Sequence, residues 1–197
     1  MEKSVISEEN GFTCRELTKE TWEDLVSLFG DHREVADCWC MWFRGSRKEW
    51  EDNRGAGNRS RLKEIVDKKN PVGLIAYSGN DPVSWCAVAP RTDYEALGRT
   101  KFYKAIDGKK TWSITCFFTI KTHRKMGVSR FLITEAIKYA RNNGAEVLEA
   151  YPSVPKEAVI PDVNGYRGFY QVFLDLGFSV ASMKQENKPI LRYDLKK

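Results

Sequence analysis

The chain lacks several features that would have narrowed its role at once. No apolar run approaches the length of a membrane span, and the first ten residues hold no hydrophobic segment of the secretory type. The default expectation is therefore a cytoplasmic protein with no membrane partner. Cysteine is sparse and odd in number: Cys14, Cys38, Cys40, Cys86 and Cys116 are scattered and do not form a disulfide framework. There is no Gly-x-x-x-x-Gly-Lys-Ser/Thr, which argues against a nucleoside-triphosphatase loop, and no Gly-x-Gly-x-x-Gly, so a dinucleotide fold lacks its fingerprint. Repeats and low-complexity tracts are missing. Nor does one sign of charge dominate, with 32 basic side chains against 27 acidic ones and a net charge of +5. That balance would draw an anionic ligand, but the basic residues are dispersed rather than striped, and nucleic acid is not an expected partner.

What is present fits one well-filled core, and 197 residues read as one domain. The most informative stretch begins at Trp112. Trp112, Ile114, Cys116, Phe118 and Ile120 alternate with Ser113, Thr115, Phe117 and Thr119, which predicts a strand with those two faces. The period then changes. Val128, Phe131, Leu132, Ala136, Tyr139 and Ala140 fall on one side of a helix that Asn143-Gly144 ends. Between strand and helix lies a basic turn. A helix start carries partial positive charge and disfavours cations, yet Arg124, Lys125 and Arg130 crowd this one. An anion held by free backbone N–H groups would resolve the conflict, with Gly127 allowing it to approach where no Cβ stands. The other reading is a solvated basic turn with no ligand.

Arg124-x-x-Gly127-x-Ser129, set between a strand and a helix, resembles the acyl-CoA pyrophosphate loop of the GNAT (Gcn5-related) N-acetyltransferases, Gln/Arg-x-x-Gly-x-Gly/Ala. Ser129 departs from the last position but is small. The wider run Cys116-Phe-Phe, His123-Arg-Lys-Met-Gly and Glu149-Ala-Tyr-Pro152 resembles one bacterial subgroup, and Gly168 to Phe178 resembles the family's closing helix with its Gly-Phe signature. The resemblance spans residues 72–195. It implies an α/β fold of mixed type: a central, mostly antiparallel twisted sheet, splayed at the cofactor site and flanked by helices. It also implies acetyl-CoA as co-substrate, with no metal. The backbone of Phe118, Thr119 and Ile120 would pair with the pantetheine arm like an added strand. The backbone of Lys125, Met126, Gly127, Val128, Ser129 and Arg130, with the charges of Arg124 and Arg130, would hold the pyrophosphate. Residues 1–70 would be a mainly helical, acceptor-side part. Trp39, Trp42, Arg91, Asp93 and Tyr151 are candidates to bind the acceptor.

The remaining elements follow in order. Gly11 to Leu17 reads as a first strand, and Thr18 as the N-cap of a helix stopped by Gly30. A second helix is expected from about Glu34 through Arg44. Within it Cys38 and Cys40 could be buried apolar groups, acceptor-pocket lining, or a metal pair with His32 and Cys86, although a lone C-x-C is poor zinc spacing. Residues 45–60 read as a mobile loop or broken helix, and Arg61 to Lys69 as a short helix. Val72–Ser78 and Pro82–Ala89 form strands joined by a tight turn at Gly79-Asn80-Asp81. Arg91 and Asp93 make either a salt-bridged turn or the mouth of the acceptor site. Glu146–Tyr151 is a strand parallel to the one before the turn. Pro152 to Pro161 is an irregular loop, Tyr166–Leu176 the last helix, and Phe178–Met183 and Ile190–Leu195 closing antiparallel strands.

Acetyl transfer to an amine also requires proton handling. The resemblance implies a tyrosine as acid four residues before the closing Gly-Phe, but Phe173 stands there, and Tyr170 is the nearest hydroxyl one turn earlier on that face. Tyr170 is either the acid or a packing tyrosine; Glu149 is either a base acting through water or a structural carboxylate. The function expected is acetyl transfer from acetyl-CoA to a primary amine of a small molecule or peptide, by direct attack in a ternary complex. The alternative is a non-enzymatic acyl-CoA-binding or sensing module. A homodimer is compatible with either.

Overall fold

The structure, a computed structural model, describes residues 7–9, 11–30, 32–152, 154 and 166–196. Seven helices accompany eight strands among these residues: β1 (Ser7–Glu9), β2 (Phe12–Glu16), α1 (Trp22–Gly30), α2 (Arg33–Ala36), α3 (Arg47–Asp52), α4 (Ala56–Asp67), β3 (Gly73–Ser78), β4 (Asp81–Pro90), α5 (Glu95–Arg99), β5 (Thr111–Thr119), α6 (Val128–Asn142), β6 (Val147–Ala150), α7 (Tyr170–Asp175), β7 (Ser179–Ser182) and β8 (Ile190–Asp194). Except for Pro152 and Val154, the loop expected up to Pro161 lies outside the described residues. No described helix is long and apolar enough to cross a membrane.

The strands make one sheet in the order β1-β2-β3-β4-β5-β6-β8-β7. Every neighbouring pair is antiparallel except β5 with β6, which α6 joins as a crossover. This is the mixed, mostly antiparallel α/β fold that the sequence predicts. Its two faces bury different cores. On one, α6 lays Val128, Phe131, Leu132, Ala136, Tyr139 and Ala140 against Leu74, Val88, Trp112, Ile114 and Leu148. Each such large side chain withdrawn from water contributes about 1.5–3 kcal/mol. On the other, α1, α4 and residues 35–41 cover Ile75, Tyr77, Trp85, Ala87 and Phe118.

Several expectations change. The alternation of β5 is broken, because the pairing with β4 goes from Cys116↔Ala87 to Ile114↔Val88 and leaves Thr115 as an extra residue. A bulge reverses the facing of everything beyond it. Trp112, Ile114 and Phe117 therefore pack under α6, while Cys116 and Phe118 turn to the opposite core. The helix expected through Arg44 stops at Ala36. Trp39 and Cys40 follow at φ +45° and +53°, held there because Trp39 is packed between Trp22 and Phe29. Residues 45–60 are largely helical: the Ser46 hydroxyl accepts from the Glu49 N–H and the Glu49 carboxylate accepts from the Ser46 N–H, a complete capping box for α3. The first helix begins after Thr21, not Thr18, since the Thr21 carbonyl accepts from Leu25 and its hydroxyl accepts from the Thr18 N–H.

Candidate functional site

β5 outruns its parallel neighbour. Its last pairing with β6 is Ile114↔Ala150, so residues 115–119 continue toward the basic turn with the edge on that side unpaired by β6. Phe118 is buried and Thr119 and Ile120 are half-buried. On the other edge, the Ser84 hydroxyl bonds the Phe118 carbonyl at 2.8 Å and fixes the strand end to β4. Arg124 reaches back as well, its Nε donating to the Thr119 carbonyl at 3.2 Å.

The turn presents its backbone. Lys125 and Gly127 both take left-handed conformations, at φ +63° and +85°, two residues apart. Alternation of this kind gathers successive N–H groups into a concavity that suits an anion. Gly127 is the N-cap of α6, and the first helical bond is Phe131 N–H to its carbonyl, so the N–H groups just before Phe131 have no partner within the helix. No acidic residue occupies the first turn of α6. Open space surrounds the place where a Gly127 Cβ would stand. Arg130, expected to add its charge here, instead pairs with Asp175 of α7 at 3.0 Å.

Across the sheet, at the bulge, Tyr94 is fully buried, and burial pushes its hydroxyl up to about 12 against the opposing charge of Arg44. Arg44 stacks on the Tyr94 ring at 4.6 Å, with Nη2 3.4 Å from its hydroxyl and Nη1 3.8 Å from Asp93. Asp93 therefore faces Arg44, and the salt bridge between Arg91 and Asp93, one of the two readings of this turn, does not form. Arg91 turns instead to Glu149, 3.7 Å away, and to the Tyr103 carbonyl. Glu149 is buried with both oxygens engaged: Arg192 Nε donates to one at 2.8 Å and the Tyr151 hydroxyl to the other at 2.6 Å. Tyr151 also bonds Ser113, and burial, followed by the Glu149 charge, raises its hydroxyl well above the usual range.

The sequence candidates thus separate. Phe118 to Arg130 come together on one edge and turn, while Arg91, Glu149 and Tyr151 form an interior network. Trp39 closes into the core at 4% exposure, and Trp42 lies at the surface against Trp50. Tyr170 opens α7, half-buried against the α6-side core; Phe173, three residues on, is fully buried between Phe117 and Phe178. Cys40 meets Cys116, sulfur to sulfur, at 3.2 Å and receives the Trp85 indole N–H. Hydrogen bonding with Cys40 and burial both raise the Cys116 thiol, which keeps it protonated. No group of three or more potential metal ligands assembles among the described residues. Arg44, Tyr94 and Thr115 were not singled out by sequence; the bulge that brings them together has no local signal, because Phe117 and Phe118 are both apolar and fit either facing. A cavity of about 880 Å³, lined by Arg91, Lys110, Trp112, Asn143 and Arg192 among others, opens at the far end of β5, beside the end of α6 and away from the turn.

The sequence profile of the acetyltransferase (GNAT) family matches residues 19–170. No curated protein matches the chain. Among solved structures, the PaiA N-acetyltransferase of Thermoplasma acidophilum, in complex with coenzyme A, superposes with a TM-score of 0.55 at 14% identity, covering 93% of this chain and 98% of that one. The protein yncA of Salmonella typhimurium, with its cofactor acetyl-CoA, gives 0.53 at 14% identity, covering 94% of each chain. A Bacillus halodurans protein gives 0.58 at 10% identity, with 98% and 90% covered. At these identities the likeness is one of fold.

Proposed function

The chain belongs to the GNAT acetyltransferase family, and from that premise we propose that it transfers an acetyl group from acetyl-CoA to a primary amine of a small molecule or peptide. The observation that carries the proposal is the end of β5–β6 pairing at Ile114↔Ala150, beyond which β6 no longer covers the strand edge that leads into the left-handed turn at Lys125 and Gly127. An extended amide-bearing arm fits the first, and a pyrophosphate fits the second. The same sequence pattern supports a bacterial subgroup, and the proposal includes a cytoplasmic location.

In the reaction the amine nitrogen bonds to the acetyl carbon, the carbon–sulfur bond breaks, the amine loses a proton and the coenzyme thiol gains one. Phe118, Thr119 and Ile120 orient the acyl arm through their backbone. Lys125 to Arg130 receive the pyrophosphate through theirs, with Arg124 and Lys125 supplying charge. Tyr170 is the proposed proton source for the leaving thiolate. Glu149 we assign to positioning: with both oxygens occupied, it anchors Arg91, Tyr151 and Arg192. One observation favours the second reading, a non-catalytic acyl-CoA-binding or sensing module. The position of the family's acid is the wholly buried, apolar Phe173. Incubation with acetyl-CoA and a panel of amines separates the two: coupled release of free thiol and acetylated amine supports transfer, and tight binding without thiol release supports the module.

A further inference from the structure

Arg44 is a cation withdrawn from water and held only at long range by its neighbours. Its side chain is 3% exposed, yet the facing Asp93 oxygen stands at 3.8 Å and the Tyr94 hydroxyl at 3.4 Å, both too far for good hydrogen bonds. A buried guanidinium so loosely held is unfavourable unless something completes its coordination. Beside it is a second deficit. Thr115, the bulged residue of β5, is 3% exposed and its hydroxyl has no hydrogen-bond partner. Its neighbour is the Tyr94 hydroxyl, whose proton affinity it lowers as a hydrogen-bonding group although the two do not meet in good geometry. Thr115 follows the last β5–β6 pairing, Ile114↔Ala150, and both it and Arg44 lie against the Tyr94 hydroxyl. A further cation, Arg167, lies over the ring of Phe43, the residue before Arg44, at 5.5 Å. Asp93, with 30% of its side chain exposed, supplies the negative charge next to Arg44.

We infer that this corner holds the carboxylate of the acceptor, so that the amine acetylated by this chain belongs to an amino acid. Arg44 and the hydroxyls of Tyr94 and Thr115 take the carboxylate, and Asp93 faces the ammonium group. This rests on the acetyltransferase reading above and narrows it. A polyamine or other polycationic acceptor would bring its charges against Arg44 and Arg167, and an amine without a carboxylate would leave the buried guanidinium as it is.

The test uses the full chain with saturating acetyl-CoA and compares kcat/KM for the common amino acids, their carboxamides, their decarboxylated amines and spermidine. At least one amino acid should exceed its amide and amine by about tenfold or more. Arg44→Gln should erase most of that preference by raising KM for the amino acid, leave KM for acetyl-CoA unmoved, and Arg44→Lys should recover part. An amide or spermidine acetylated as well as the best amino acid would overturn the inference and leave acetyl transfer standing. No transfer to any amine, with acetyl-CoA still binding by calorimetry, would sink the transferase reading and this inference with it. Should Arg44→Gln fail to fold, the comparison of acid with amide on the unaltered protein decides.

Discussion

Tyr170 and Phe173 lie one helical turn apart, and their environments differ in a way the sequence could not convey. Phe173 is enclosed by Phe117 and Phe178, and a Cβ on Gly168 would stand 2.7 Å from its ring, so this position belongs to the core. Tyr170 is half-buried and keeps its hydroxyl. If it protonates the leaving thiolate, Tyr170→Phe should lower kcat by about tenfold to a hundredfold with little change in KM for acetyl-CoA, the low end of general-acid assistance. A variant within twofold of the parent, with chemistry limiting, would end that assignment. Glu149 makes the opposite case. Its sequence position fits either a base or a structural carboxylate, and in the fold Arg192 and Tyr151 occupy its two oxygens. Glu149→Ala should therefore cost about 3–5 kcal/mol of stability, the range for breaking a buried pair, read as a lowered urea midpoint. A stable variant that lost only kcat would restore it as a base. Arg192 reaches Glu149 only because β8 pairs with β6 in the fold, which is why the sequence left both readings open.

At the scale of elements, strong periodicity was legible and short segments were not. The apolar stripe of α6 and its Asn143-Gly144 stop stand where the pattern put them, and Gly144 takes φ +76°. The segment from Cys38 to Arg44 has helical spacing too, but packing of Trp39 and Cys40 overrides it with two left-handed residues. The Ser46-x-x-Glu49 capping box was written in the sequence, within a stretch whose glycines and charges read as a loop. Ser46→Ala should lower stability by about 1 kcal/mol in thermal unfolding and leave acetyl-CoA affinity unchanged; a loss of affinity would mean that α3 shapes the site. The basic turn allows a sharper comparison. Gly127→Glu places a like charge against the pyrophosphate and should weaken acetyl-CoA binding at least about tenfold, or about 1.4 kcal/mol. Gly127→Asn, which tolerates the same left-handed backbone, should weaken it less. Unchanged calorimetric affinity in a folded Gly127→Glu protein would move the cofactor elsewhere.

For the whole molecule, the hairpin turns and the single parallel crossover made most of the sheet readable, since short connections force antiparallel neighbours and a helix between strands permits a parallel pair. The bulge at Thr115 was not readable, and it decides which of the two cores each β5 side chain enters. Surface carboxylates make the fold acid-sensitive in a defined direction. Glu49, Asp67, Asp107 and Glu146 are each held below their ordinary range, chiefly by hydrogen bonds from Ser46, Lys63, Arg192 and Lys196. Because folding depresses these values, their stabilisation is complete above the unfolded range near pH 4 and is lost as pH falls through the folded values. Melting temperature should stay level from pH 7 to about 5 and drop below about 4, modestly because the groups are exposed; a rise on acidification would contradict this. The central claim, acetyl transfer from a cofactor seated on β5 where β6 no longer pairs with it, is tested most directly by mass detection of the products. The protein is incubated with acetyl-CoA and a panel of amines, and free thiol is measured in the same reaction. The account predicts one acetylated amine formed for each thiol released, with Gly127→Glu suppressing both. Acetyl-CoA bound but left intact with every amine would contradict it.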